Sequence, residues 1–224
     1  LIGVAMIMTV RLMTTAFSVD LSEWINAYLG GDIYVYSSIP LRASLPQQLT
    51  GVAGVSAATP IHYHPVEFQG TEAELEELTI MAVDPPTYLQ VTNFVFSDSD
   101  ADKTAALSKL NEGGAVLISS VISEKYGLTA GDEIWLKTSS GLKPFEVAEV
   151  VVDFFNSGMV ITGSRHDLRR FFRTDDVTMI LLKVEENADV SNVITAIDDA
   201  YGKRYRLSME SNTSIRESVS TLMD

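Results

Sequence analysis

Two spacings organise the hydrophobic residues of this chain. Apolar side chains that recur every third or fourth position predict helix, and those that alternate with polar ones or run unbroken for a few residues predict strand. The first clear helix lies near the start. Phe17, Leu21, Trp24, Ile25 and Tyr28 recur at helical spacing between Ser18, Asp20, Ser22, Glu23 and Asn26, and Gly30-Gly31 closes it. Leu1–Val10 precedes it, about ten apolar residues against the roughly 20 that a membrane span needs. No basic region comes before that run and no small-residue cleavage site follows, so it does not read as a secretory signal. The last helix has the same character. Ser211-Asn212-Thr213-Ser214 offers capping side chains, Ile215, Val219 and Leu222 form an apolar stripe, and Arg216, Glu217 and Ser220 face away from it. One helix enters and one leaves, and two such stripes can pair as a stalk. Packed terminal helices of a globular protein would carry the same stripes.

The body between them mixes strands and helices. Asp32–Ser37 alternates and reads as a strand, after which Pro40 is expected to open a short helix towards Gln48. Val55–Phe68 reads as a strand whose prolines, Pro60 and Pro65, favour an edge or a bend. Thr79–Asp84 is another strand, stopped by Pro85-Pro86, and the run FSDSDAD from Phe96 to Asp102 is a polar linker. Beyond it come a buried strand at Ala115–Ile118, a helix at Ser120–Tyr126, and a β pair, Asp132–Lys137 with Pro144–Phe154, across Ser139-Ser140-Gly141. A strand at Met159–Thr162, a helix at Arg165–Phe172, a strand at Val177–Val184, a helix at Val190–Tyr201 and a strand at Arg204–Met209 complete the series. A run as apolar as Val177–Val184 belongs in the middle of a sheet covered on both faces.

Composition narrows the partners. Hydrophobic residues make up 46% of the 224, an ordinary globular proportion, while the net charge of −14 argues against nucleic acid and against an anionic membrane surface. The chain has no cysteine, which removes disulfides, thiolate catalysis and cysteine-based metal sites together. His62 and His64 fall on one face of a strand with Glu67 nearby, half of a metal site at most; two partly exposed strand histidines are the simpler reading. His166 stands at a helix start in Ser164-Arg165-His166-Asp167. Glu72, Glu74, Glu76 and Glu77, and separately Asp98, Asp100 and Asp102, lack the glycine and spaced acid of a calcium loop and read as solvated acids. Asp167, Arg169 and Arg170 read as a solvated helix face. No nucleophile elbow, phosphate loop or dinucleotide fingerprint occurs. No catalytic residue, metal or cofactor is expected.

Four stretches match a known order of segments: Ala16–Val35, Leu45–Pro60, Gly113–Leu136, and Phe145–Phe154 followed by Gly158–Phe172. The strongest piece is Gly127-Leu128 followed by Gly131-Asp132, where a left-handed helix end, a tucked-in leucine and a tight turn lead into a strand. Together these resemble the extracytoplasmic core domain of FtsX/MacB-like permeases, the ABC3 class of ABC transporters. The resemblance implies an α+β fold in which a ferredoxin-like porter-type α/β subdomain, 31–94 and 157–210, carries an inserted smaller β-rich subdomain at 95–156. That insert is expected to gather Val116, Ile118, Leu128, Ile134, Leu136 and Val147. Stalk helices at 1–30 and 211–224 would flank the body, as continuations of the first and second membrane helices, and leave it on the same side. Such a domain would stand on the extracytoplasmic side of the cell membrane. It would couple ATP hydrolysis on a separate cytoplasmic ABC ATPase subunit to export or release of a lipoprotein, peptide or drug, or to a partner protein. The resemblance also implies a second permease copy as dimer partner and an extracytoplasmic partner protein. Phe17, Leu21, Trp24, Ile25, Ile215 and Val219 are the candidate coupling side chains. The alternative, an extracellular ligand-binding or sensor domain of a membrane receptor, requires a defined pocket.

Overall fold

The structure is a computed structural model, and it describes residues 11, 30–70 and 74–215. Among them, β1 (Ile33–Leu41), α1 (Leu45–Leu49) and β2 (Val55–Gln69) open the chain, and β8 (Val177–Val184), α6 (Val190–Ile197) and β9 (Leu207–Ser211) close it. These strands lie in the order β2-β8-β1-β9, every pairing antiparallel. Two β-α-β units thus interleave with β8 and β1 in the middle, which is the ferredoxin-like arrangement. The hydrophobic pattern explains the layers. Ile33, Val35, Ile180 and Leu182 meet Leu45 and Leu49 of α1 and Val193 and Ile197 of α6 on one face. Tyr34, Ala57, Ile61 and Leu181 turn to the other, where Tyr88 and Val91 of α2 (Pro85–Val91) cover them. Both faces of β8 are therefore buried, and its unbroken apolar run sits at the sheet centre, as expected.

The chain between β2 and β8 builds a second unit. It contains β3 (Leu75–Val83), α2, α3 (Lys103–Glu112), β4 (Ala115–Ser119), α4 (Ser120–Tyr126), β5 (Glu133–Thr138), β6 (Gly141–Val151), β7 (Val160–Ser164) and α5 (Arg165–Asp167), which runs on as a wider turn, Leu168–Phe172. β2 pairs with β3, β3 with β7, β7 with β4, β4 with β6, β6 with β5, and β5 returns to β2 where Phe68 faces Leu136. Six strands thus close on themselves around Val66, Phe68, Leu78, Ile80, Val116, Ile118, Ile134, Leu136, Phe145, Val147 and Ile161. Closure removes the open edges that a flat sheet would expose. Val116, Ile118, Ile134, Leu136 and Val147 share this core and Leu128 packs at its margin. Residues 95–156 supply β4, β5 and β6, and β2, β3 and β7 complete the barrel from outside that segment. The reason is geometric: three strands cannot enclose a core alone.

Two local expectations change. β1 continues through Pro40 to Leu41, and the helix starts only at Leu45, where Pro46 occupies its first turn. Arg204 and Tyr205 stay helical, so the last strand begins at Leu207. The edge expected at the prolines of β2 is found locally, because β2 changes partner at Ile61, with Val55–Ile61 pairing with β8 and Ile61–Gln69 with β3. Pro60 and Pro65 are tolerated because each lies where β2 has a strand partner on one side.

Candidate functional site

The entry and exit of the body meet at one point. β1 and β9 pair with Ile33 opposite Ser211, and just beyond that pair the Asn212 N–H donates to the Asp32 carbonyl at 2.9 Å. The Asn212 side-chain Nδ2 donates to the Gly31 carbonyl at 3.0 Å. Asp32 ties the same point into β8. Its Oδ2 accepts from the Val184 N–H at 2.8 Å, its Oδ1 receives Lys183 Nζ at 3.1 Å, and its own N–H donates to the Leu182 carbonyl at 2.8 Å. Gly31 is pressed against β8, since a Cβ there would stand 3.3 Å from that of Leu181. On the exit side Ser211 Oγ accepts from the Ser214 N–H at 3.2 Å, the capping bond expected of a helix start, and residues 212–215 turn helical. Ile215 packs on the cluster that holds Tyr34, Tyr88, Val91 and Leu181. Of the six coupling candidates, Ile215 is thus placed on the body, while Phe17, Leu21, Trp24, Ile25 and Val219 lie outside the described residues.

The titratable groups have other duties. His62 and His64 share the face of β2 that carries Val66 and Phe68, with ring centroids 5.8 Å apart, and His64 meets the Phe172 edge. Glu67 is paired with Lys137. Glu76 accepts from Lys125 Nζ at 3.0 Å and the Tyr126 hydroxyl at 2.6 Å. Asp98 accepts from the Asp100 N–H and Asp102 caps α3 by accepting from the Ala105 N–H. Glu72 lies outside the described residues. Among the described residues no group of three or more His, Asp or Glu converges as a metal cage. The expectation for Asp167 is corrected. It is buried, accepts from the Gly114 N–H at 2.7 Å and fills the space where Gly113 lacks a side chain, while Arg169 pairs with Asp175.

Both histidines resist protonation. Burial lowers the His62 value, helped by the neighbouring His64 and opposed by Asp176, and burial alone lowers that of His64. The unfolded chain therefore takes up protons first, near the ordinary value of 6.5. The stability these rings contribute is present in full above that value and is lost as pH falls through it towards the lower folded-state values. Thermal melts from about pH 7.5 to about pH 5 should show a falling midpoint, and His62→Gln should flatten that fall. An unchanged slope in the variant would refute the assignment.

The model of the MacB-like periplasmic core domain matches residues 1–200 of the chain. The chain belongs to this family. The MacB-like core domain resembles the periplasmic region of MacB from Actinobacillus actinomycetemcomitans with a TM-score of 0.65 at 9% identity, over 85% of this chain and 92% of that one. The extracellular domain of the noncanonic ABC-type transporter YknZ from Gram-positive bacteria gives 0.58 at 17% identity, over 80% and 99%. An uncharacterized ABC transporter permease protein of Mycobacterium tuberculosis is 24% identical over 232 residues, and the chain spans 27% of its length. Among the described residues no helix is long and apolar enough to cross a membrane. The joining of Asp32, Lys183 and Asn212 at the root of this MacB-like domain escaped the sequence reading, which placed Asp32 at a strand start and Asn212 among capping residues. Gly30-Gly31 marked a helix end, but nothing local in Asp32 announces a partner about 150 positions away.

Proposed function

We propose that this MacB-like core domain is the extracytoplasmic coupling element of an ABC transporter permease. ATP hydrolysis on a separate cytoplasmic subunit would move the stalk segments 1–30 and 211–224, and the body would carry that movement to an exported substrate or a partner protein. The observation that supports this reading is the shared root. A displacement arriving at Gly31 or Asn212 enters paired strands and, through Asp32, the central strand β8 directly. Elements packed this way shift as units rather than deforming gradually.

Asp32→Ala in the full-length permease, assayed in membranes with its ATPase, should cut transport per ATP several-fold. The change leaves the Val184 N–H without its acceptor and releases β8 from the root. Lys183→Met should do little, since that ammonium is half exposed and the ion pair is screened. Wild-type transport in a folded Asp32→Ala protein would refute the coupling role.

A further inference from the structure

The first half of β2 has an open edge. Ile61 pairs with both Met179 of β8 and Val83 of β3, so those strands lie on opposite sides of β2. β3 begins its pairing at Ile61, and among the described residues no strand occupies that side from Val55 to Pro60. Ser56, Ala57, Ala58 and Pro60 of that stretch line a cleft of about 380 Å³, while Thr59 is fully buried with its hydroxyl 3.0 Å from that of Thr87. Gln47 of α1 lines one wall, and Thr87 and Gln90 of α2 line the other. Ala57 and Ala58 belong to the cores on opposite faces of the sheet, yet both line the cleft. A groove reaches both by following the strand edge.

Two arginines stand where the open stretch ends. Val83 of β3 pairs with Ile61 on one side and with Ser164 of β7 on the other, so α5 starts beside that end, and Arg165 and Arg169 line the cleft. The Arg165 side chain is 8% exposed. Its Nη2 donates to the Asp175 carbonyl at 3.0 Å and to Asp175 Oδ1 at 2.6 Å, but its buried Nε has no hydrogen-bond partner. A buried N–H of a cation left unmatched is costly, and it marks a position shaped for an acceptor.

We propose that this cleft binds an extended peptide that pairs with the open edge of β2 and places a carboxylate on Arg165 and Arg169. The edge offers main-chain donors and acceptors at strand spacing, and the small side chains of Ala57 and Ala58 leave room for a backbone. Gln47 and Gln90 can bond to a passing main chain, while the Thr87 hydroxyl is already taken by Asp84 of the same wall. Asp175 already takes Arg165 Nη2 and Arg169 Nη1, and Asp84 also lines the cleft. It is therefore the unpartnered Arg165 Nε that selects an anion, against the −14 charge of the chain as a whole. The proposal is independent of the coupling reading, because such binding needs neither a membrane nor an ATPase.

The test titrates the 224-residue chain with three fluorescent acetyl-Thr-Val-Thr-Val peptides: one with a free C-terminal carboxylate, one as the amide, and one extended by a glutamate and amidated. A carboxylate-bearing peptide should bind about tenfold more tightly than the plain amide, the factor that one charge-assisted bond supplies. Whether the free terminus or the glutamate gains more identifies the source of the carboxylate. Arg165→Gln should erase the gain and Arg169→Gln should reduce it. Arg169 is half exposed, so the second variant keeps the test sound if the first fails to fold. Amide shifts in the NMR spectrum should concentrate on Ser56–Ala58. No binding, equal affinity for all three peptides, or shifts centred elsewhere would each overturn the proposal.

Discussion

Phe68→Ala is expected to lower the free energy of unfolding by about 3–5 kcal/mol, read from urea denaturation followed by far-ultraviolet circular dichroism. Phe68 is 1% exposed and packs edge-on to Tyr126 at 5.0 Å. It also occupies the register position at which β2 meets Leu136 of β5 and the ring of six strands closes. Truncation therefore leaves a cavity and weakens the seam beside it. Trp135→Ala, on the same β5 but 41% exposed, should cost less than about 1 kcal/mol. Equal losses for the two variants would show that the seam contributes nothing beyond surface packing.

The second large effect concerns the stalk. In the full-length transporter, Trp24→Asp and Val219→Asp are expected to abolish export while ATP hydrolysis continues. Both residues lie on the apolar stripes of their predicted helices. Burying such side chains is worth roughly 1.5–3 kcal/mol each, enough to bias a two-state arrangement of helices, and a carboxylate in the same place opposes it. Export and ATPase rates in membranes give the answer, with circular dichroism of the separate 224-residue chain as the folding control. His62→Gln and His64→Gln should leave export at neutral pH unchanged. If the stalk variants export normally and the histidine variants do not, the lever reading fails and a ligand site near β2 replaces it.

What could be read from the sequence was mostly local. Val177–Val184 announced a central strand because both of its faces are apolar, and Ser120–Tyr126 announced a helix because Gly127 ends it in the left-handed region at φ 67. Asp132 then accepts from the Thr129 N–H at 2.7 Å, the tight turn that the Gly131-Asp132 pair suggested. The features that escaped all depend on distant partners. Asp167 looked like one more solvated acid because its partner, Gly114, lies 53 positions earlier. The Phe68–Leu136 closure joins strands that are unrelated in sequence, and alternation along each strand fits an open sheet as well as a barrel. Pro60 hinted at the open edge of β2, but its extent was hidden for the same reason. Its sequence is that of a strand throughout, and only the place where β3 starts to pair leaves half of it bare.

The bond of 2.9 Å between Asn212 and Asp32 also makes the body portable. Neighbouring strands run about 4.8 Å apart and packed helices about 8–10 Å, so the body demands little more room than two helices already side by side. A unit built this way can be grafted into a host chain without prising its flanking segments apart. Its interior can likewise be enlarged between β2 and β8, where the other five barrel strands are inserted, without moving either junction.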